Sequence, residues 1–231
     1  MRFESIFIAI FVTISLSTYC LDGDCHETPN PLLKEIDNMN LGWLKVPLSN
    51  YYIQSKETSV GQFKKCVEAG VCKEDTFKQC ERCTYNLGND NLPMSYVNYY
   101  GAEQFCDWIG GHICTEHEWN NACGGIERTV FPYGNEFKED ACNLGVDRIP
   151  VALEEVGSRP ECVGSVDGLY DMGGSVGEWI DNGKEGDYGK FKSISVQMNP
   201  PIDKPVCTGF CAGNSKSYMP PTIGIRCCRK D

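Results

Sequence analysis

Basic charge is scarce in this sequence: 21 lysines and arginines against 32 aspartates and glutamates leave a net charge of −11. Nucleic acid and anionic membranes both need a basic face, so neither suits it as a partner. Histidine is rarer, with three residues, and none stands in a catalytic context. His117 lies between two glutamates on a predicted helix face, where solvation is its expected fate, and His112 is expected to pair with a carboxylate. Beyond the N-terminus no apolar run approaches the roughly 20 residues of a membrane span. The sequence has no Asn-x-Ser/Thr acceptor, no Gly-x-Ser-x-Gly and no glycine-rich phosphate loop after a strand. Its carboxylates are numerous but scattered, and Glu154, Glu155, Glu185 and Asp187 read as solvated loop charges.

What the chain does have is cysteine, fifteen in all, behind one short apolar stretch. At that density, a secretory signal implies a disulfide framework formed in an oxidising compartment. Arg2 supplies the positive end of such a signal, residues 6–16 (IFIAIFVTISL) its apolar centre, and Ser15-Leu16-Ser17 its small-residue end. Polar residues follow directly, which argues against a core helix, and Tyr19 disfavours a lipobox at Cys20. Residues 1–20 are therefore expected to be a signal peptide, 21–40 an irregular leader, and 41–231 the domain of a secreted protein (extracellular, periplasmic or lumenal). About 210 residues suffice for a packed core that disulfides supplement. Gly 24 and Pro 12, with few long periodic runs, indicate a loop-rich α+β fold.

Residues 41–53 (LGWLKVPLSNYYI) predict two short strands broken at Pro47 and Ser49-Asn50. Thr58 or Ser59 can cap a helix that places Val60, Phe63, Cys66 and Val67 on one face and stops at Gly70. Residues 72–94 predict a cross-linked loop. Asn98 opens a second helix with Ala102, Phe105, Cys106 and Ile109 at helical spacing, and Gly110-Gly111 ends it. Thr115 and Glu118 form a capping box for a third helix, ended by Gly124-Gly125, with Trp119 and Ala122 toward the core. Short strands and turns fill the rest. Tyr96, Tyr99 and Tyr100 could line a surface, although Tyr99 and Tyr100 fit helix packing better.

The string Gly-Gly-His-Ile-Cys-Thr-Glu-His-Glu-Trp-Asn-Asn-Ala-Cys-Gly-Gly over 110–125 resembles the G-K-R-L-P/C-T-E-A-E-W-E-x-A-x-R-G signature of the formylglycine-generating enzyme (sulfatase-modifying factor) family. Lys56-Glu57-Thr58, Phe131-Pro132-Tyr133-Gly134-Asn135, Val156-Gly157-Ser158, Gly168-Leu169-Tyr170-Asp171-Met172, Gly174-Ser175-Val176-Gly177-Glu178-Trp179 and Gly224-Ile225-Arg226-Cys227 resemble its other blocks, in order. The likeness covers roughly residues 40–231 and is to a cysteine-rich branch. It implies a compact α+β domain of the C-type-lectin-like kind, with little regular secondary structure and many disulfides.

The resemblance also implies pairings. By motif position Cys106 matches Cys227 and Cys123 matches Cys211. Cys142 and Cys162 flank a turn-rich insert and are expected to pair, as are Cys114 and Cys228. Bridges closing roughly 90 to 120 residues are each worth about 4 to 5 kcal/mol in the chain-entropy account. The partners of Cys25, Cys66, Cys72, Cys80 and Cys83 stay open. Zinc at 66–83 is disfavoured, because only Cys80-x2-Cys83 has knuckle spacing.

Enzymes of this family oxidise a sulfatase cysteine to formylglycine with O2 and copper, using two thiols four residues apart in a strand that begins R-G-G-S. Soft thiolates are the ligands that select Cu(I). Here Phe191-Lys192-Ser193-Ile194-Ser195 stands where R-G-G-S is expected, and Cys207-x3-Cys211 is one residue short. With Cys211 assigned to Cys123, Cys207 is the one candidate catalytic or copper-binding cysteine. It is expected to be buried or oxidised to Cys25 or the 66–83 cluster. The family's calcium sites carry over onto Asn143, the Leu144 carbonyl, Ser175 and Glu178, with serine in place of asparagine at 175. Two functions follow: a non-catalytic binding or structural protein for a protein or glycan ligand, or a copper-dependent formylglycine-generating oxidase. A third is a subunit or chaperone-like partner of such an enzyme.

Overall fold

The computed structural model describes residues 18–21, 24–27, 36, 39–144, 153–183, 186–192, 206–209 and 211–231. It divides into two units at Asn40 and Leu41. In the first, Thr18–Leu21 (β1) pairs antiparallel with Asp24–Glu27 (β2). These two strands fall across the expected boundary between signal peptide and leader. The rest of the expected signal peptide, residues 1–17, lies outside the described residues.

The second unit starts from capped helices. Val60–Glu68 (α1) is capped by Ser59, whose hydroxyl accepts from the Gln62 N–H while Gln62 reaches back to the Ser59 N–H. Tyr99–Trp108 (α2) begins at Asn98, which accepts from the Gly101 N–H. Glu116–Gly124 (α3) has the reciprocal Thr115–Glu118 box and ends at Gly125, whose φ of 62° suits glycine. Each cap satisfies backbone donors that a helix start leaves orphaned. Trp119 and Ala122 of α3 are fully buried. Val60, Phe63 and Cys66 form the buried face of α1, and Phe63 packs edge-on against Phe77 at 5.3 Å between ring centres.

Two four-stranded sheets flank the helices. The first consists of Trp43–Lys45 (β3), Tyr51–Gln54 (β4), Cys227–Lys230 (β10) and His112–Ile113 (β5), all antiparallel in the order β3-β4-β10-β5. The second consists of Gly177–Ile180 (β6), Tyr188–Lys192 (β7), Cys211–Ser215 (β8) and Ile223–Gly224 (β9), in the order β8-β7-β6-β9. Only the β6–β9 pair in it is parallel. In both sheets a C-terminal strand pairs with much earlier chain, so the fold closes late and over long loops.

Six disulfides hold the described residues together. Cys106–Cys227 ties α2 to β10, and Cys114–Cys228 ties the chain before α3 to the same strand. Cys142–Cys162, Cys66–Cys72 and Cys80–Cys83 are local. One expected pairing is corrected. Cys123 bonds Cys207, with Cα atoms 5.2 Å apart, rather than Cys211. The Cys207 N–H donates to the Val130 carbonyl at 3.1 Å, which holds it beside the chain leaving α3. Cys211 instead opens β8 opposite Lys192 of β7.

Thr115→Ala removes the N-cap acceptor of α3 and should lower unfolding free energy by about 1 kcal/mol. Urea denaturation at constant m-value reads it, and an unchanged midpoint would refute the role of the cap.

Candidate functional site

The motif blocks converge on one buried polar cluster. Arg226, 1% exposed, arrives from the turn between β9 and β10. Its Nε donates to Glu178 Oε1 at 2.7 Å, and its Nη1 and Nη2 donate to the carbonyls of Gln54 and Tyr170, both at 2.8 Å. The second oxygen of Glu178 accepts from the Trp119 indole N–H. Glu57 accepts from Ser175 Oγ and from the Val176 N–H, each at 3.0 Å. Asp171 accepts from the Gly157 N–H. Gln54 Oε1 accepts from Thr58 Oγ1 and the Cys227 N–H. Trp119 also faces Lys192, whose Nζ sits 5.8 Å from the ring centre and 3.6 Å from Glu116 Oε1.

Three buried carboxylates thus surround one guanidinium. Burial first, then the charges of Asp171 and Glu178, push the Glu57 carboxyl well above 4.5, while Arg226 and the Val176 N–H oppose the rise. Burial raises Asp171 as well, against the Gly157 N–H, Arg226 and Lys56. Burial also pushes Glu178 up, but Arg226 and the Trp119 indole N–H favour its ionised form. A carboxylate accepting charged and neutral donors on both oxygens is held in place, with no lone pair aimed at solvent. The cluster is sealed and suits clamping more than chemistry.

Cys207 is fully buried and oxidised, as expected, but its partner is Cys123 rather than Cys25 or the 66–83 cluster, so it is not a free catalytic cysteine. In a disulfide, Cys207 is not a thiolate that could hold copper. Twelve cysteines are consumed in disulfides, and among the described residues no three His, Cys, Asp or Glu side chains converge as metal ligands.

The four residues expected at calcium are hydrogen-bonded within the protein. Asn143 and Ser175 do meet, but through the Ser175 N–H donating to the Asn143 carbonyl at 2.8 Å. Leu144 follows on that loop, its N–H donating to the Cys142 carbonyl, while Glu178 is committed to Arg226 and Trp119. Close packing reinforces this, since a Cβ on Gly174 would lie 2.5 Å from the Asn143 carbonyl oxygen. His112 lies 3.1 Å from Glu118, and His117 is exposed. Tyr99 is buried against Trp179, whereas Tyr100 is exposed.

A cleft of about 650 Å³, unforeseen in the sequence, opens where the β3–β4 turn, the end of α3, the Phe131–Asn135 turn and residues 163–165 meet. Val46, Pro47, Asn121, Glu127, Tyr133 and Ser165 line it with several glycines. That volume lies within the range of small-ligand sites.

The sulfatase-modifying factor enzyme 1-like domain model matches residues 35–230. The chain is 36% identical over 166 residues to serine/threonine-protein kinase pkn1 of Chlamydia caviae, covering 65% of this chain and 25% of that protein. It is 34% identical over 98 residues to inactive C-alpha-formylglycine-generating enzyme 2 of Mus musculus, covering 38% and 31%. Formylglycine-generating enzyme of Mus musculus is 31% identical over 105 residues, covering 40% and 28%. The chain therefore spans between a quarter and a third of these relatives' length. Among solved structures, PvdO from Pseudomonas aeruginosa superposes with a TM-score of 0.61 at 17% identity, covering 78% of this chain and 80% of that one. CarF gives 0.58 at 15%, covering 78% and 86%. At such identities the likeness is of fold.

Arg226→Met strands Glu178 as an unpaired buried charge, and equilibrium unfolding should show a loss of about 3 to 5 kcal/mol. For Glu57 the sign follows from its raised value. The native state holds the proton more tightly, so this group's stabilisation is complete below about pH 4.5 and drains as pH rises toward the native value. Glu57→Gln cannot ionise, so it should compare better with the wild type at about pH 8 than at about pH 5. An equal gap at both pH values would contradict proton uptake at Glu57.

Proposed function

We propose that this chain, which belongs to the sulfatase-modifying factor enzyme 1-like domain family, uses that scaffold as a secreted, non-catalytic binding module. The observation that carries the reading is Cys207, buried and bonded to Cys123 at the end of α3. A copper oxidase of this family needs a pair of accessible thiols, and no free thiol stands among the described side chains. The resemblance to inactive C-alpha-formylglycine-generating enzyme 2 supports the same side.

Six disulfides support an oxidising compartment. Among the described residues no helix is long and apolar enough to cross a membrane. The family fold gives the module a stapled core and leaves the turns between elements to recognise a protein or glycan. The cleft beside α3 is a concave surface suited to that role.

Purified protein incubated with copper, O2, a thiol reductant and a sulfatase-type cysteine peptide should yield no formylglycine above the protein-free control by mass spectrometry. Conversion abolished by Cys207→Ser or Cys211→Ser would replace this reading with the oxidase. Native, non-reducing alkylation should leave Cys207 unlabelled.

A further inference from the structure

We propose that the Cys80–Cys83 disulfide is an exchange site, at which the cysteine thiolate of a protein partner forms a reversible mixed disulfide with Cys80. This goes beyond the binding-module reading, because it gives the module a covalent contact that needs neither copper nor O2. The first ground is access. Of the twelve disulfide-bonded cysteines, all are buried except Cys80, which is exposed. Lys78, Gln79, Glu81 and Arg82 around it are exposed too, so an incoming sulfur can approach Cys80 from solvent. Cys83, the other half of the bond, is fully buried. Exchange depends on which sulfur can be reached. Attack therefore falls on Cys80, and Cys83 is the leaving sulfur. Lys78 and Arg82 outnumber Glu81 in this stretch, and local positive charge favours the thiolate of an arriving cysteine.

The second ground is that the fold loses little when this bond opens. Cys80 and Cys83 are 3 residues apart in sequence, against 121, 114 and 84 for Cys106–Cys227, Cys114–Cys228 and Cys123–Cys207. A crosslink over so short a loop removes little entropy from the unfolded chain. The turn it spans also has its own backbone bonds. The Cys83 N–H donates to the Cys80 carbonyl at 3.0 Å, and the Asn86 N–H donates to the Cys83 carbonyl at 2.9 Å. On either side, the Lys78 N–H donates to the Tyr96 carbonyl and the Ser95 N–H donates to Thr84 Oγ1, both at 2.9 Å. The opened loop thus stays docked, with Cys83 held near Cys80. In the exchange step the partner's thiolate attacks Cys80 Sγ, and a new S–S bond forms as the bond to Cys83 breaks. The electron pair leaves on Cys83 Sγ, which takes a proton from solvent. The partner's sulfur is oxidised and Cys83 is reduced. Attack by Cys83 on Cys80 reverses the step and frees the partner.

The probe is the reduced peptide acetyl-Gly-Cys-Gly amide, titrated into the folded, oxidised full chain. Samples are quenched in acid, alkylated and mapped by non-reducing mass spectrometry, while tryptophan fluorescence follows the fold. Peptide should appear on Cys80 at concentrations at least about tenfold below those that open any buried disulfide, with the fluorescence unchanged. Cys83→Ser, offered the peptide as its symmetric disulfide, should retain it on Cys80. Cys80→Ser should take none on Cys83. Buried disulfides opening before Cys80–Cys83 or together with it, peptide found on Cys83, or unfolding that accompanies the exchange overturns the inference. Should a variant fail to fold, the wild-type map decides. Formylglycine formation, read separately, bears on the non-catalytic reading alone.

Discussion

The contact on which the rest of this structure depends is the buried pair of Arg226 and Glu178. Arg226 reaches in from the turn before the last strand, and Glu178 comes from β6 in the second sheet. Through its other nitrogens Arg226 holds the end of β4 and the loop at Tyr170, and through its other oxygen Glu178 holds Trp119 of α3. One ion pair therefore fixes both sheets to a helix. Burying two charges is costly, and a pair of this kind stabilises only where neighbouring donors and acceptors complete it. Here they do: two backbone carbonyls, of Gln54 and Tyr170, complete the guanidinium, and the Trp119 indole completes the carboxylate. The neighbouring Glu57 and Asp171 show the other side of the same constraint, since the one guanidinium cannot neutralise every carboxylate packed near it.

The disulfides solve a different problem from the ion pair. Sheet pairing here joins residues more than a hundred positions apart, as between β4 and β10, and the entropy of closing such loops opposes folding. Cys106–Cys227 and Cys114–Cys228, separated by 121 and 114 residues, restrain the unfolded chain where that entropy is greatest. They land on adjacent residues of β10 whose side chains leave opposite faces of the strand. The last strand is thus stapled on both sides, one to α2 and the other to the chain entering α3.

Much of this was legible from sequence, for physical reasons that differ by element. The helix starts at Asn98 and Thr115 could be read because capping is local chemistry, decided within three or four residues. At α1 the same chemistry was only half read, as the Ser59–Gln62 box was passed over in choosing between Thr58 and Ser59. The Cys123 partner was misassigned because motif position ranks two nearby cysteines without knowing their strand. Cys211 lies in β8 opposite Lys192, while Cys207, four residues earlier, hydrogen-bonds to the chain leaving α3. Glu178 was recognised as a motif residue but given a metal to hold. Its hydrogen-bond partners, Arg226 and Trp119, stand 48 and 59 residues away, and no local pattern links them. The cleft was illegible for the same reason, since four separate segments make it.

That contrast bears on how a family signature relates to chemistry. Glu57, Trp119, Asp171, Glu178 and Arg226 come from five motif blocks, and all are buried in one polar cluster or against it. Losing any one would leave a buried charge, donor or acceptor short of a partner, so the signature is held by folding itself. A reactive thiol pair has no such support, because nothing in the core weakens when a surface cysteine moves by one position or finds a disulfide partner. The fold can therefore outlast its chemistry. The Arg226–Glu178 clamp holds the scaffold beneath the loops around α3 in place.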